Sequence, residues 1–240
     1  VNKSKIDLKV MQFLTEKTGF IAFTFVAIAS VSSVLTACST TTSQTQTPNP
    51  IVTQASENQQ MQHGDGMNHS MAMGLGLADT NYDLRFIDAM RLHHQGAIQM
   101  AKEAEQKSQR PEIKSLARNI IVTQSKEENE LLRKWRQSWY PQASDLLVAY
   151  GGKDKPVVPM STEQQKSMAM VEDLGTADAE FDLRFMNAMI GHHEGALTMA
   201  KDALNKSQRP EIKQLAREII ASQQTEINQM KQWRQTWYNK

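Results

Sequence analysis

Four of the six histidines stand as two adjacent pairs, His93-His94 and His192-His193. Each pair follows a methionine by three residues (Met90, Met189) and precedes another (Met100, Met199). The other two, His63 and His69, lie in Met61-Gln-His63-Gly-Asp-Gly-Met67-Asn-His69-Ser-Met71-Ala-Met73. Imidazole and thioether together form a soft ligand set, suited to copper and above all to Cu(I), with imidazole also able to hold Cu(II).

Helical geometry limits how such residues cooperate. Positions i, i+3 and i+4 share a face, whereas neighbours diverge by about 100°. Met90 can therefore share an ion with His93 or His94, but two adjacent histidines cannot easily chelate one ion. One of each pair is expected to face the interior and its neighbour a groove or partner helix. Ordinary explanations exist as well: a methionine on an apolar stripe fills core space, and a buried histidine satisfies a polar neighbour. Residues 61–73 have no core to fill, which makes their methionines and histidines the most specific metal signal. Di-iron bundles use Glu-x-x-His on inward faces, and this chain contains no such motif. A haem held by Met and His is a further alternative, but it would leave most of the duplicated ligands unused.

The elements that must position these residues come in two copies. Ser70-Met71-Ala-Met73 recurs as Ser167-Met168-Ala-Met170, which adds Met168 and Met170 to the candidates. Tyr82-Asp-Leu-Arg-Phe86 recurs as Phe181-Asp-Leu-Arg-Phe185, and Ser108-Gln-Arg-Pro-Glu-Ile-Lys114 as Ser207 to Lys213. Trp135-Arg-Gln-Ser-Trp139-Tyr140 answers Trp233-Arg-Gln-Thr-Trp237-Tyr238, with one more residue after the proline in copy one. Within a copy the apolar positions step by three and four, as in Phe86, Met90, Ala97, Met100 and then Ile113, Leu116, Ile120.

Asp79 and Asp178 are expected to cap the first helices, and Pro111 and Pro210 to open the second ones. The sequence thus predicts helical hairpins at 75–140 and 161–240, joined by a Pro/Gly-bearing crossover at 141–160. A capping box at Ser161-Thr-Glu-Gln164 should open a short helix reaching about Leu174. The fold class is all-α, a duplicated hairpin forming a ferritin-like four-helix bundle with a disordered N-terminal tether.

Ahead of the bundle, four lysines in residues 1–18 precede an apolar stretch from Gly19 to Leu35, then Leu35-Thr36-Ala37-Cys38. A basic start, an apolar run and a small residue before the break read as a secretory signal at 1–37. The tetrapeptide resembles a bacterial lipoprotein box, which implies a lipid on Cys38 and an exported, membrane-anchored protein in the periplasm or at the cell surface. Cys38 is the only cysteine, so the domain has neither an internal disulfide nor a thiolate metal site. Residues 38–60, rich in Ser, Thr and Gln, would serve as the tether, and 61–74 as a metal-binding tail. Without residues 1–37 the chain carries 23 basic and 24 acidic side chains, which gives no polybasic surface for nucleic acid.

The stretch Phe185-Met-Asn-Ala-Met189-Ile-Gly-His192-His193-Glu-Gly-Ala-Leu-Thr-Met199-Ala200, with Phe181-Asp182 before it, resembles the bacterial family called domain of unknown function 305. The later Ile219 to Trp233 resembles it too, and the likeness covers about 68–240. The resemblance implies a ferritin-like bundle and, from CopM-type members, an exported copper-binding protein linked to copper resistance. It carries copper roles onto Met90, His93, His94, Met100, Met189, His192, His193 and Met199, with the tail as an added loading region. The pattern departs in copy one, where Leu132 stands for Met230 and Glu128-Asn129 for Glu226-Ile227. The expectation is a copper scavenger, buffer or carrier without catalytic turnover, delivering to an exporter or sensor. The rival is a redox protein on the same bundle, either a cuprous oxidase or a haem electron carrier.

Overall fold

The computed structural model describes residues 74–240. The signal segment, Cys38, the tether and the tail candidates His63, Met67, His69, Met71 and Met73 lie outside the described residues. Helix α1 (Tyr82–Lys107) and helix α2 (Pro111–Lys126) form the first hairpin. α2 continues through a π-helical turn (Glu127–Leu132) into α3 (Arg133–Trp139), with right-handed helical backbone at both joints. The crossover carries a two-residue antiparallel ribbon, β1 (Val148–Ala149) against β2 (Val158–Pro159), and then α4 (Thr162–Ala169). Helices α5 (Phe181–Lys206) and α6 (Pro210–Tyr238) form the second hairpin.

Local chemistry accounts for most of the element ends. Pro111 and Pro210 open their helices, each followed by an acid that complements the positive end of the helix dipole. Asp79 and Asp178 do not cap α1 and α5 as expected. Each turns on itself, accepting at Oδ1 from the backbone N–H two residues on (Asn81, Glu180) at 2.9 Å. The helices then start at Tyr82 and Phe181 with no side-chain cap. The capping box at Ser161 and Gln164 forms, but α4 ends at Ala169 rather than near Leu174, because Met170 turns left-handed at φ 47°.

The repeated motifs brace one hairpin against the other. Asp83, at the start of α1, faces Arg209 of the second hairpin's turn at 3.5 Å, and Asp182 faces Arg110 at 3.4 Å. Each of these arginines also lies over a tryptophan of the other copy, Arg209 on Trp139 at 4.1 Å and Arg110 on Trp237 at 4.3 Å. The motif arginines clasp the loops ahead of their own helices. Arg85 donates to the Leu75 and Leu77 carbonyls, and Arg184 to those of Leu174 and Thr176.

α1 and α5 run antiparallel through the core, which divides into two apolar clusters. One holds Phe86, Met90 and Leu92 of α1 with Ala196, Met199 and Ala200 of α5. The other holds Ala97, Met100 and Ala101 of α1 with Phe185, Met189 and Ile190 of α5. Between these clusters, on both helices, lie the buried histidine pairs.

Candidate metal centre

The histidines form a layer across the middle of the bundle. His93, His94 and His193 have no exposed surface, and His192 is 1% exposed. His93 and His192 meet at the α1–α5 contact, their ring centroids 3.7 Å apart and their planes tilted by 48°. His94 and His193 turn instead to the second helix of their own hairpins. His193 Nε2 lies 2.6 Å from Glu226 Oε2 in hydrogen-bond alignment. His94 Nε2 lies 2.7 Å from Glu127 Oε2, short but without that alignment.

This pairing corrects the alignment of the two copies. Counting back from the tryptophans sets Glu128 opposite Glu226, but the partner in space is Glu127, sixteen residues past Pro111 as Glu226 is past Pro210. The π turn takes up the surplus residue of copy one only after that position. Glu128 serves elsewhere, accepting from Arg91 Nε at 3.1 Å and Arg133 at 3.3 Å. The carboxylates were missed as site residues. Their signal was a Gln-x-x-Glu step at matching distances from both prolines (Gln124 to Glu127, Gln223 to Glu226). Gln124 and Gln223 are buried, and their Oε1 atoms have no partner among the described residues.

Gly96 determines how the short helix reaches this layer. A Cβ there would overlap the Ala169 carbonyl and come within 3.1 Å of His192 Nε2. Glycine lets the end of α4 approach, so that His192 Nε2 lies 3.2 Å from the Ala169 oxygen. Met168, one residue earlier, is buried in the cluster of Met90 and Met199, and Met170 packs half-buried against it. Met100 and Met189 share the other cluster with Met186 and Met230. The candidate methionines of the described residues therefore flank the histidine layer on both sides. No group of three or more His, Cys, Asp or Glu side chains arranged to hold a metal occurs among the described residues. Imidazoles and carboxylates meet there only in pairs, so a fuller ligand set has to draw on thioethers.

Burial holds His93 and His192 neutral. The His93 imidazole is pushed well below the ordinary range, first by loss of water and then by the neighbouring His192, His94 and His193. His192 is lowered to about 3, again by burial first and His193 next. An unperturbed imidazole would lose metal to protons below about pH 6.5. For His93 and His192 that competition moves to more acidic conditions. Several ring nitrogens lack hydrogen-bond partners among the described residues: both of His93 and of His94, and Nδ1 of His192 and His193. Buried polar atoms are ordinarily satisfied, and bare imidazole nitrogens beside thioethers form a donor set that fits a soft cation.

Comparison with known proteins finds solved structures similar to this chain. CopM in its Cu(II)-bound form is 40% identical, with a TM-score of 0.52 over 65% of this chain and 97% of that one. CopM in the Cu(I)-bound form is 39% identical with a TM-score of 0.50, and its silver-bound form matches equally. The uncharacterized protein L153 of Acanthamoeba polyphaga mimivirus is 53% identical over 49 residues, or 20% of this chain. That match spans only 32% of the viral protein's length. The family model described as "Domain of unknown function (DUF305)" matches residues 26–131 and 83–234, and on that coverage the chain belongs to the DUF305 family.

Proposed function

We propose that this protein binds copper, preferring Cu(I), as a scavenger, buffer or carrier that coordinates the metal without turning it over. The observation that carries the reading is the histidine layer, four buried imidazoles with bare ring nitrogens between two methionine-bearing clusters. Thioethers favour Cu(I), and imidazoles accept either oxidation state. The likeness to CopM, solved with Cu(I), Cu(II) and silver, supports the same cargo here.

Residues 1–38 read as an export signal ending in a lipid-bearing cysteine, so the bundle would work outside the cytoplasm, tethered to a membrane. The Met/His tail at 61–73 would load or pass on the metal, and an exporter or sensor would be its partner in copper tolerance. Among the described residues no helix is long and apolar enough to cross a membrane.

Anaerobic Cu(I) titration against a competing chelator tests the proposal. Full-length protein should hold copper tightly, and a variant with His93, His94, His192 and His193 changed to glutamine should lose the bundle's share while staying helical. Binding unchanged in that variant would make the histidines structural. A Soret band in the purified protein, or oxygen uptake on adding Cu(I), would point to a redox protein instead.

A further inference from the structure

A neutral imidazole has one N–H and one lone pair, and the group held by one nitrogen decides which is left for a metal. An ionised carboxylate only accepts hydrogen bonds. His193 Nε2 faces Glu226 Oε2 at 2.6 Å, so in a neutral ring this contact calls for the proton on Nε2 and leaves Nδ1 bare. His94 Nε2 likewise lies nearest Glu127, at 2.7 Å from Oε2 but out of hydrogen-bond alignment, with Nδ1 facing no partner among the described residues. His192 follows suit through a different acceptor, the Ala169 carbonyl.

We propose that Glu226 and Glu127 are positioning residues that commit His193 and His94 to bind metal through Nδ1, with each ring oriented before the metal arrives. Both carboxylates sit at the rim of the bundle, their side chains 19% and 13% exposed, while the imidazoles they hold are buried. Each lies on the face that meets its own hairpin's first helix, at the same distance from its helix-opening proline. A carboxylate behind a metal-binding imidazole fixes its tautomer and raises its basicity, and removing one costs roughly 10- to 100-fold in metal affinity. The alignment at Glu226 and its absence at Glu127 make copy two the better-organised half.

The inference rests on the soft-metal reading above, and the experiment separates the two. Long-range proton–nitrogen correlation spectra of the full-length protein, labelled at histidine, report which ring nitrogen is protonated. Silver(I), diamagnetic and redox-inert, serves as the probe. Without metal, His193 and His94 should show protonated Nε2 and bare Nδ1, and silver should shift Nδ1 while Nε2–H persists.

Glu226→Gln offers an amide donor to Nε2 and should move His193 toward the Nδ1–H form. It should weaken silver binding at that histidine about 10- to 100-fold with helical circular dichroism unchanged. Glu226→Asp keeps an acceptor and should restore part of the loss. If Nδ1 is protonated in the apo protein, if silver shifts Nε2, or if Glu226→Gln binds like wild type, the positioning role is wrong although the protein still binds silver. If silver perturbs none of the four histidines, the copper reading itself fails.

Discussion

The two hairpins share most of their motifs and differ where their surroundings differ. In copy one, Asp88 is buried against Arg136 and also accepts from the Val148 backbone, which pins the crossover to α1. In copy two, Asn187 stands at that position, exposed, and Arg234 keeps a buried Nε without a partner among the described residues. Copy one also carries the π turn and Leu132, where copy two has unbroken helix and Met230. Copy one uses these positions to hold the crossover, while copy two has the better-aligned histidine–carboxylate pair.

The largest effect should come from the buried ion pair. Asp88→Ala leaves the Arg136 charge uncompensated and should cost about 3–5 kcal/mol, whereas Asn187→Ala should stay within about 0.5 kcal/mol. Urea unfolding of both variants measures the contrast, and equal losses would remove the crossover from the explanation.

Acidification comes next. His93 and His192 are neutral in the native protein, with folded pKa values below the unfolded one, so the unfolded chain binds more protons as pH falls. Stability should be complete above about pH 6.5 and decline toward pH 3, by about 1.4 kcal/mol per pH unit for each ring that must stay neutral. His93→Gln and His192→Gln should each flatten the slope by a similar amount in urea midpoints of apo protein. A slope altered by only one of them would mean that the two halves of the layer are unequal.

The smallest effect on stability should come from deleting Asn129, an exposed residue of the π turn. The helix should become regular, with stability changed by about 1 kcal/mol or less. The Glu127 contact with His94 should then take on the alignment seen at Glu226, visible as a firmer Nε2–H signal from His94. A His94 signal that stays as it was would assign the copy-one geometry to something other than the extra residue.

The hairpins, their prolines and the capping box at Ser161 were legible because each depends on neighbours in sequence. The Met-x-x-His spacing likewise placed Met90 and Met189 near the histidine layer. The partners of the histidines were not legible, since a helical period gives faces but not what meets them. Nothing local shows that His93 meets His192 while His94 turns to its own hairpin. Glu127 was hidden for a different reason. One surplus residue can be absorbed at any turn between Pro111 and Trp135, and counting from the wrong end shifts the carboxylate by one. The cross-braces were concealed similarly: Asp83 could pair with Arg110 of its own copy as readily as with Arg209, and only the packing of the hairpins chooses.

Burial of the histidine layer has a consequence in time as well as in affinity. Water reaches neither ring nitrogen of His93, nor Nδ1 of His94, His192 or His193. An ion bound there can leave no faster than the helices part, and local opening of a packed core is rare compared with the motion of loops and chain ends. Residence in the bundle would then be set by the clock of that opening. On the copper reading proposed above, the rate of release from the bundle would be a property of how tightly α1 and α5 are packed.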